Sequence, residues 1–63
     1  MKYRVTLIDP TGSEYKEWED CTNPSSQFPT ATIMMCTFMD EDNCPVNLYL
    51  STGWTLVVEG FPQ

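Results

Sequence analysis

The run Ala31-Thr-Ile-Met-Met-Cys-Thr-Phe-Met39 is the longest apolar stretch of the chain, and it stops at Asp40-Glu41-Asp42-Asn43. Nine residues are too few for a membrane span. The segment is β-rich in composition and bounded by turn residues, so it reads as a strand. Its two alternating sets, Ile33, Met35 and Met39 against Met34, Cys36 and Phe38, are both apolar. That pattern predicts a central strand covered on both faces. A Met-rich face able to re-pack against a partner is the sharper alternative.

The rest of the chain reads as short strands separated by turns. Lys2 to Asp9 alternates, with Tyr3, Val5 and Leu7 set against Lys2, Arg4 and Thr6. Asp9-Pro10-Thr11-Gly12 is a turn: Asp bonds the local backbone, Pro fixes φ, and Gly accepts a positive φ. Ser13 to Asp20 fits a strand that closes a hairpin, and a short helix over 14–21 is the alternative. Cys21 to Thr30, broken by Pro24 and Pro29, reads as a loop whose Phe28 plugs the edge of the core. Val46 to Leu50 places Val46, Leu48 and Leu50 inward. Ser51-Thr52-Gly53-Trp54 fits a hairpin turn, and Trp54 to Glu59 places Trp54, Leu56 and Val58 inward. No internal repeat is visible. The expectation is one mostly-β domain over residues 1–63, a small five-stranded antiparallel sheet or barrel, SH3-like or OB-like.

A chain of 63 residues has a small core, with net stability of roughly 3–5 kcal/mol. It rarely encloses a ligand cavity of the common size, which disfavours an enzyme. There is no histidine, so Cys-His and Ser-His-Asp systems cannot be built from this chain. The acids at 40–42 do not form an EF-hand: position 6 of that loop would be Pro45 and position 12 would be Ser51. Cys21, Cys36 and Cys44 match no zinc-knuckle spacing. No metal, cofactor or catalytic residue is therefore expected. Three cysteines make an odd count, and the N-terminal stretch has no apolar leader, so free thiols and a cytoplasmic setting are expected.

Charge carries the functional reading. Nine acids face three bases, and Lys2, Arg4 and Lys16 all lie in the first sixteen residues. A net charge of −6 repels nucleic-acid backbones and anionic membranes and attracts basic protein surfaces. The expected role is a small acidic binding protein, in its sharp form an inhibitor whose carboxylates stand in for nucleic-acid phosphates, as a viral or mobile-element protein would use. The expected contact residues are Glu14, Glu17, Glu19 and Asp20 on the second strand and Asp40, Glu41 and Asp42 at the far turn. Trp18 and Tyr49 are the expected aromatic anchors. The alternative is a structural subunit that assembles through a strand edge or the Met-rich face, as a homodimer or within a larger complex.

Overall fold

A computed structural model describes residues 2–62. The domain is all-β: the described residues form six strands in two antiparallel three-stranded sheets, with no helix among them. In chain order these are β1 (Lys2–Ile8), β2 (Glu14–Cys21), β3 (Ser25–Gln27), β4 (Met34–Met39), β5 (Pro45–Leu50) and β6 (Thr55–Phe61). The first sheet has the order β2-β1-β6 and the second β3-β4-β5. The segment 14–21 is a strand, not a helix. One more strand is present than expected, because Ser25–Gln27 pairs with Met35–Thr37 inside the stretch read as a loop.

Two hairpins with the same turn set the registers. In the first, the Asp9 N–H donates to the Ser13 carbonyl at 2.9 Å, and the Gly12 N–H donates to the Asp9 carbonyl at 3.0 Å. The Asp9 Oδ1 accepts the N–H groups of Thr11 and Ser13, each at 3.0 Å. The second hairpin repeats these bonds with Asp40, Asn43 and Cys44: 2.9 Å from the Asp40 N–H to the Cys44 carbonyl, and 2.9 Å from the Asp42 and Cys44 N–H groups to Asp40 Oδ1. The fourth residue of each turn has a positive φ, 91° at Gly12 and 64° at Asn43. Glycine and asparagine tolerate that conformation, and it suits a type I turn closed by a bulge.

The repetition extends beyond the turns. Val5 and Leu7 precede Asp9 by four and two residues, and Cys36 and Phe38 stand at the same offsets from Asp40; all four are buried. Each hairpin is followed by a strand that crosses into the opposite sheet: β3 joins β4, and β6 joins β1. The chain is thus two ββ units that each lend a third strand to the other. No repeat shows in the sequence because the two units share a turn aspartate and burial positions, not residue identities.

At the first crossing β2 is bulged between the pairs Tyr3↔Cys21 and Val5↔Trp18, with Asp20 at φ 55°. Just beyond, the Thr22 N–H donates to the Met39 carbonyl at 3.0 Å, and the Met39 N–H donates to Thr22 Oγ1 at 2.9 Å. Bulges bend strands, and this one turns the chain from one sheet onto the other. The second crossing is the Ser51–Trp54 turn, with Gly53 at φ 100°. This segment was expected to be a hairpin turn. It is a turn, but β5 and β6 lie in different sheets and do not pair.

The core is Val5, Cys21, Cys36 and Phe38, with Trp18, Val46, Leu48 and Leu56 packed against it. The rings of Trp18 and Phe38 meet edge to face at a centroid distance of 5.4 Å. Cys36 and Phe38 fill the inner face of β4 as expected. Its outer face, Met35, Thr37 and Met39, is half-buried by neighbouring side chains, but the described residues form no third layer over it, contrary to the expected two-sided cover. One other expectation fails, and another holds for the face but not for full burial, for a related reason. Phe28 does not plug the core and is 72% exposed, and Val58, on the inner face of β6, is 42% exposed. Alternation assigns a side chain to a face, but only an opposing sheet can bury it.

Candidate functional site

The acidic residues assemble around two places. On the outer face of the first sheet, Arg4 in β1 lies between β2 and β6, where the register aligns it with Glu59. Its Nε is 3.1 Å from Glu19 Oε1 and 4.0 Å from Glu17 Oε1, and its Nη1 is 3.6 Å from Glu59 Oε1. Desolvation alone would lower the guanidinium. The hydrogen bond to Glu19 and the charges of Glu19, Glu17 and Glu59 outweigh it and hold Arg4 above its usual value. One cation serving three carboxylates leaves the face net negative. Exposed pairs of this kind contribute little to stability. The same guanidinium lies 5.1 Å from the Phe61 ring centroid, a cation–π distance.

The second place is the Thr22 crossing. The bonds between Thr22 and Met39 bring Asp20, at the end of β2, beside the Asp40 turn. The Cys21 thiol registers this concentration of charge. Burial pushes it up first, and Asp40, Asp20 and Glu41 push it further, while Lys2 opposes them. Asp40 itself is committed to holding its turn. Glu41 and Asp42 are exposed at the turn tip. Since Glu19 and Asp20 are neighbours in β2, the charged face and the charged crossing adjoin.

The remaining candidates fall elsewhere. Glu14 pairs with Ile8 at the opposite end of β2. Trp18 turns its ring into the core against Phe38 and is topped by Lys16, whose Nζ is 5.2 Å from the ring centroid. Its aromatic surface is therefore spent on folding. Tyr49 is 68% exposed, but it projects from the second sheet, paired with Met35 and away from the Arg4 cluster. Sequence reasoning missed Arg4 as the hub and Glu59 as its third carboxylate. Both depend on which strands flank β1, and a pairing between residues this far apart in sequence leaves no local signal.

A shallow groove of about 220 Å³ opens at the second crossing, between the Phe28–Met34 segment and Leu50–Trp54. Phe28, Ile33, Met34, Leu50 and Trp54 give it an apolar lining, and the remaining lining residues contribute only hydroxyl, methyl and backbone groups. Tyr15 meets Trp54 edge to face at 5.5 Å just outside it. No acid, base or thiol lines it. Among the described residues no group of three or more His, Cys, Asp or Glu is placed to hold a metal ion. Cys21 and Cys36 are buried free thiols, and Cys44 is an exposed one. Compared with protein-family models, curated proteins and solved structures, the chain matches none.

Proposed function

We propose that this protein is a non-enzymatic binding protein that engages a basic surface of another protein, and that it competes there with nucleic acid. The observation that carries this reading is the gathering of Glu17, Glu19 and Glu59 around Arg4, adjoining Asp20, Asp40, Glu41 and Asp42 at the Thr22 crossing. Seven of the nine carboxylates lie in these two adjoining regions, with Lys2 and Arg4 as their cations. A rigid β scaffold that presents carboxylates in this way offers a Lys- and Arg-rich cleft a substitute for phosphates. The groove supports a non-catalytic role, since its lining holds hydroxyls but no acid, base or thiol to activate them.

The partner should be identified by cross-linking in the source cells and then purified. Its affinity should fall steeply with salt, because the Debye length shrinks from about 30 Å at 0.01 M to about 3 Å at 1 M. Replacing Glu17, Glu19 and Glu59 by Gln, or Asp20, Glu41 and Asp42 by Asn and Gln, should weaken binding with the fold intact. Duplex or single-stranded nucleic acid should displace the protein from its partner. Unchanged affinity in both variants would reduce the acidic surface to a solvated face.

A further inference from the structure

Four strand edges bound the two sheets, and three are guarded. The β2 edge carries Glu14, Lys16, Glu17, Glu19 and Asp20 and is bulged twice. The β3 edge is three residues long. The β5 edge opens at Pro45, which has no N–H, and its inner side chains Val46, Leu48 and Leu50 are partly or fully buried. Charge, bulges, short length and proline are the usual means by which sheet edges avoid pairing with other chains. Among the described residues β6 has no bulge and no proline and is not short. It has seven residues, one charge, and an unbroken one-to-one register with β1. Its other side pairs with nothing among the described residues, and Val57 (39%), Val58 (42%) and Phe61 (42%) are exposed along it.

We propose that the free edge of β6 receives an extended basic segment of a partner protein as a fourth strand of the first sheet. This inference rests on the acidic-surface reading and adds to it the mode of docking. Backbone pairing supplies the affinity common to strand-addition complexes, and alternate side chains supply the selectivity. On the outer face the added strand meets Val57, Glu59 and Phe61, and on the inner face it meets Val58. Glu59 shares its single cation with two closer or comparable claimants, since Arg4 is nearer to Glu19. Phe61 already takes a cation on its ring. Both favour Lys or Arg on the outward positions of the incoming strand, with apolar residues inward.

A second copy of this chain fits the edge less well. Its β6 would bring another Glu59 to the seam and no cation, because Lys2 and Arg4 lie one strand further in. Each copy also carries a net charge of −6.

The test uses the full chain, labelled for NMR, and three synthetic seven-residue peptides: alternating Lys-Val, the same peptide N-methylated at every backbone amide, and alternating Glu-Val. Lys-Val should bind with shifts centred on the amides of residues 55–61. It should bind at least about tenfold tighter than either control. Tenfold corresponds to about 1.4 kcal/mol, which one or two net hydrogen bonds supply. Equal binding of Lys-Val and its N-methylated form overturns strand addition and leaves the acidic surface standing, because N-methylation at every residue keeps the charge and removes all the backbone donors. Equal binding of Lys-Val and Glu-Val overturns the basic partner. No binding of Lys-Val, or a dimer of the protein alone with its β6 amides protected, overturns the proposal altogether.

Discussion

Phe38 is the residue on which the contact between the two sheets is most exposed to a test. It is 5% exposed and packs with Val5, Cys21 and Cys36, and its ring meets Trp18 across the sheets at 5.4 Å and 76°. Truncation to Ala removes a buried aromatic at a cost of about 3–5 kcal/mol. A domain of this size has roughly 3–5 kcal/mol in all, so Phe38→Ala should be largely unfolded. Phe38→Leu is the informative variant. It keeps an apolar side chain, loses the aromatic pair at about 0.5–1.5 kcal/mol, and leaves a small void, for a total of about 2 kcal/mol. In a domain of 60–100 residues that lowers Tm by about 8–16 °C. Urea titrations followed by far-UV circular dichroism on Phe38→Leu, Trp18→Leu and the double variant give the coupling between the rings. A coupling of about 0.5–1.5 kcal/mol is expected. Additive single effects, or a Phe38→Ala protein that melts with the wild type, would show that the sheets do not meet through these rings.

Three further outcomes are expected. Cys44 should react at once with a thiol reagent under native conditions, while Cys21 and Cys36, buried and with thiols pushed up by that burial, should react only as the protein unfolds. Gly53→Ala should destabilise more than Gly12→Ala in the same urea titrations. Both have positive φ, but a Cβ at 53 meets the Pro10 Cβ at 3.3 Å and one at 12 meets nothing. The hydrogen bonds from the Thr11 hydroxyl and the Ser13 N–H hold Asp9 below the usual carboxylate range. A depressed carboxyl adds stability above its unfolded value, and that stability is lost as pH falls through its folded value. Acid titration of Asp9→Asn should therefore show a shallower loss of stability below about pH 4 than the wild type, and parallel curves would contradict the turn geometry.

The strands legible in the sequence were those whose alternation coincides with burial. Val5 and Leu7, and Val46, Leu48 and Leu50, announce their inner faces, and Asp9 and Asp40 announce the turns. Ser25–Gln27 has no apolar residue to mark it. It becomes a strand because the bulge at Asp20 and the Thr22–Met39 bonds deliver it to the edge of β4. The 51–54 turn was visible, but its destination was not, because the same four residues can close a hairpin or carry the chain across a sandwich. Trp18 reads as a surface anchor from its acidic neighbours Glu17 and Glu19. Its parity with Lys16 along β2 places it on the inner face, a point that needed the register with β1. The Arg4 cluster was the least legible part of the site, since it joins β1, β2 and β6 through pairings between residues up to 55 positions apart.

That same pairing of β1 with β6 fixes when the protein can come into being. While the chain is being made, β1 leaves the ribosome first and forms its hairpin with β2, but the other side of β1 stays open until residues 55–61 have followed. Meanwhile β2 cannot bend onto its second partner before β4 is out. No intermediate length of chain holds a finished sheet with a finished core beneath it. The domain should remain unfolded and open to proteases and chaperones until residues 55–61 have emerged, and then close in one cooperative step. Its abundance in a cell would therefore depend on how well the nascent chain is shielded as much as on the stability of the folded state.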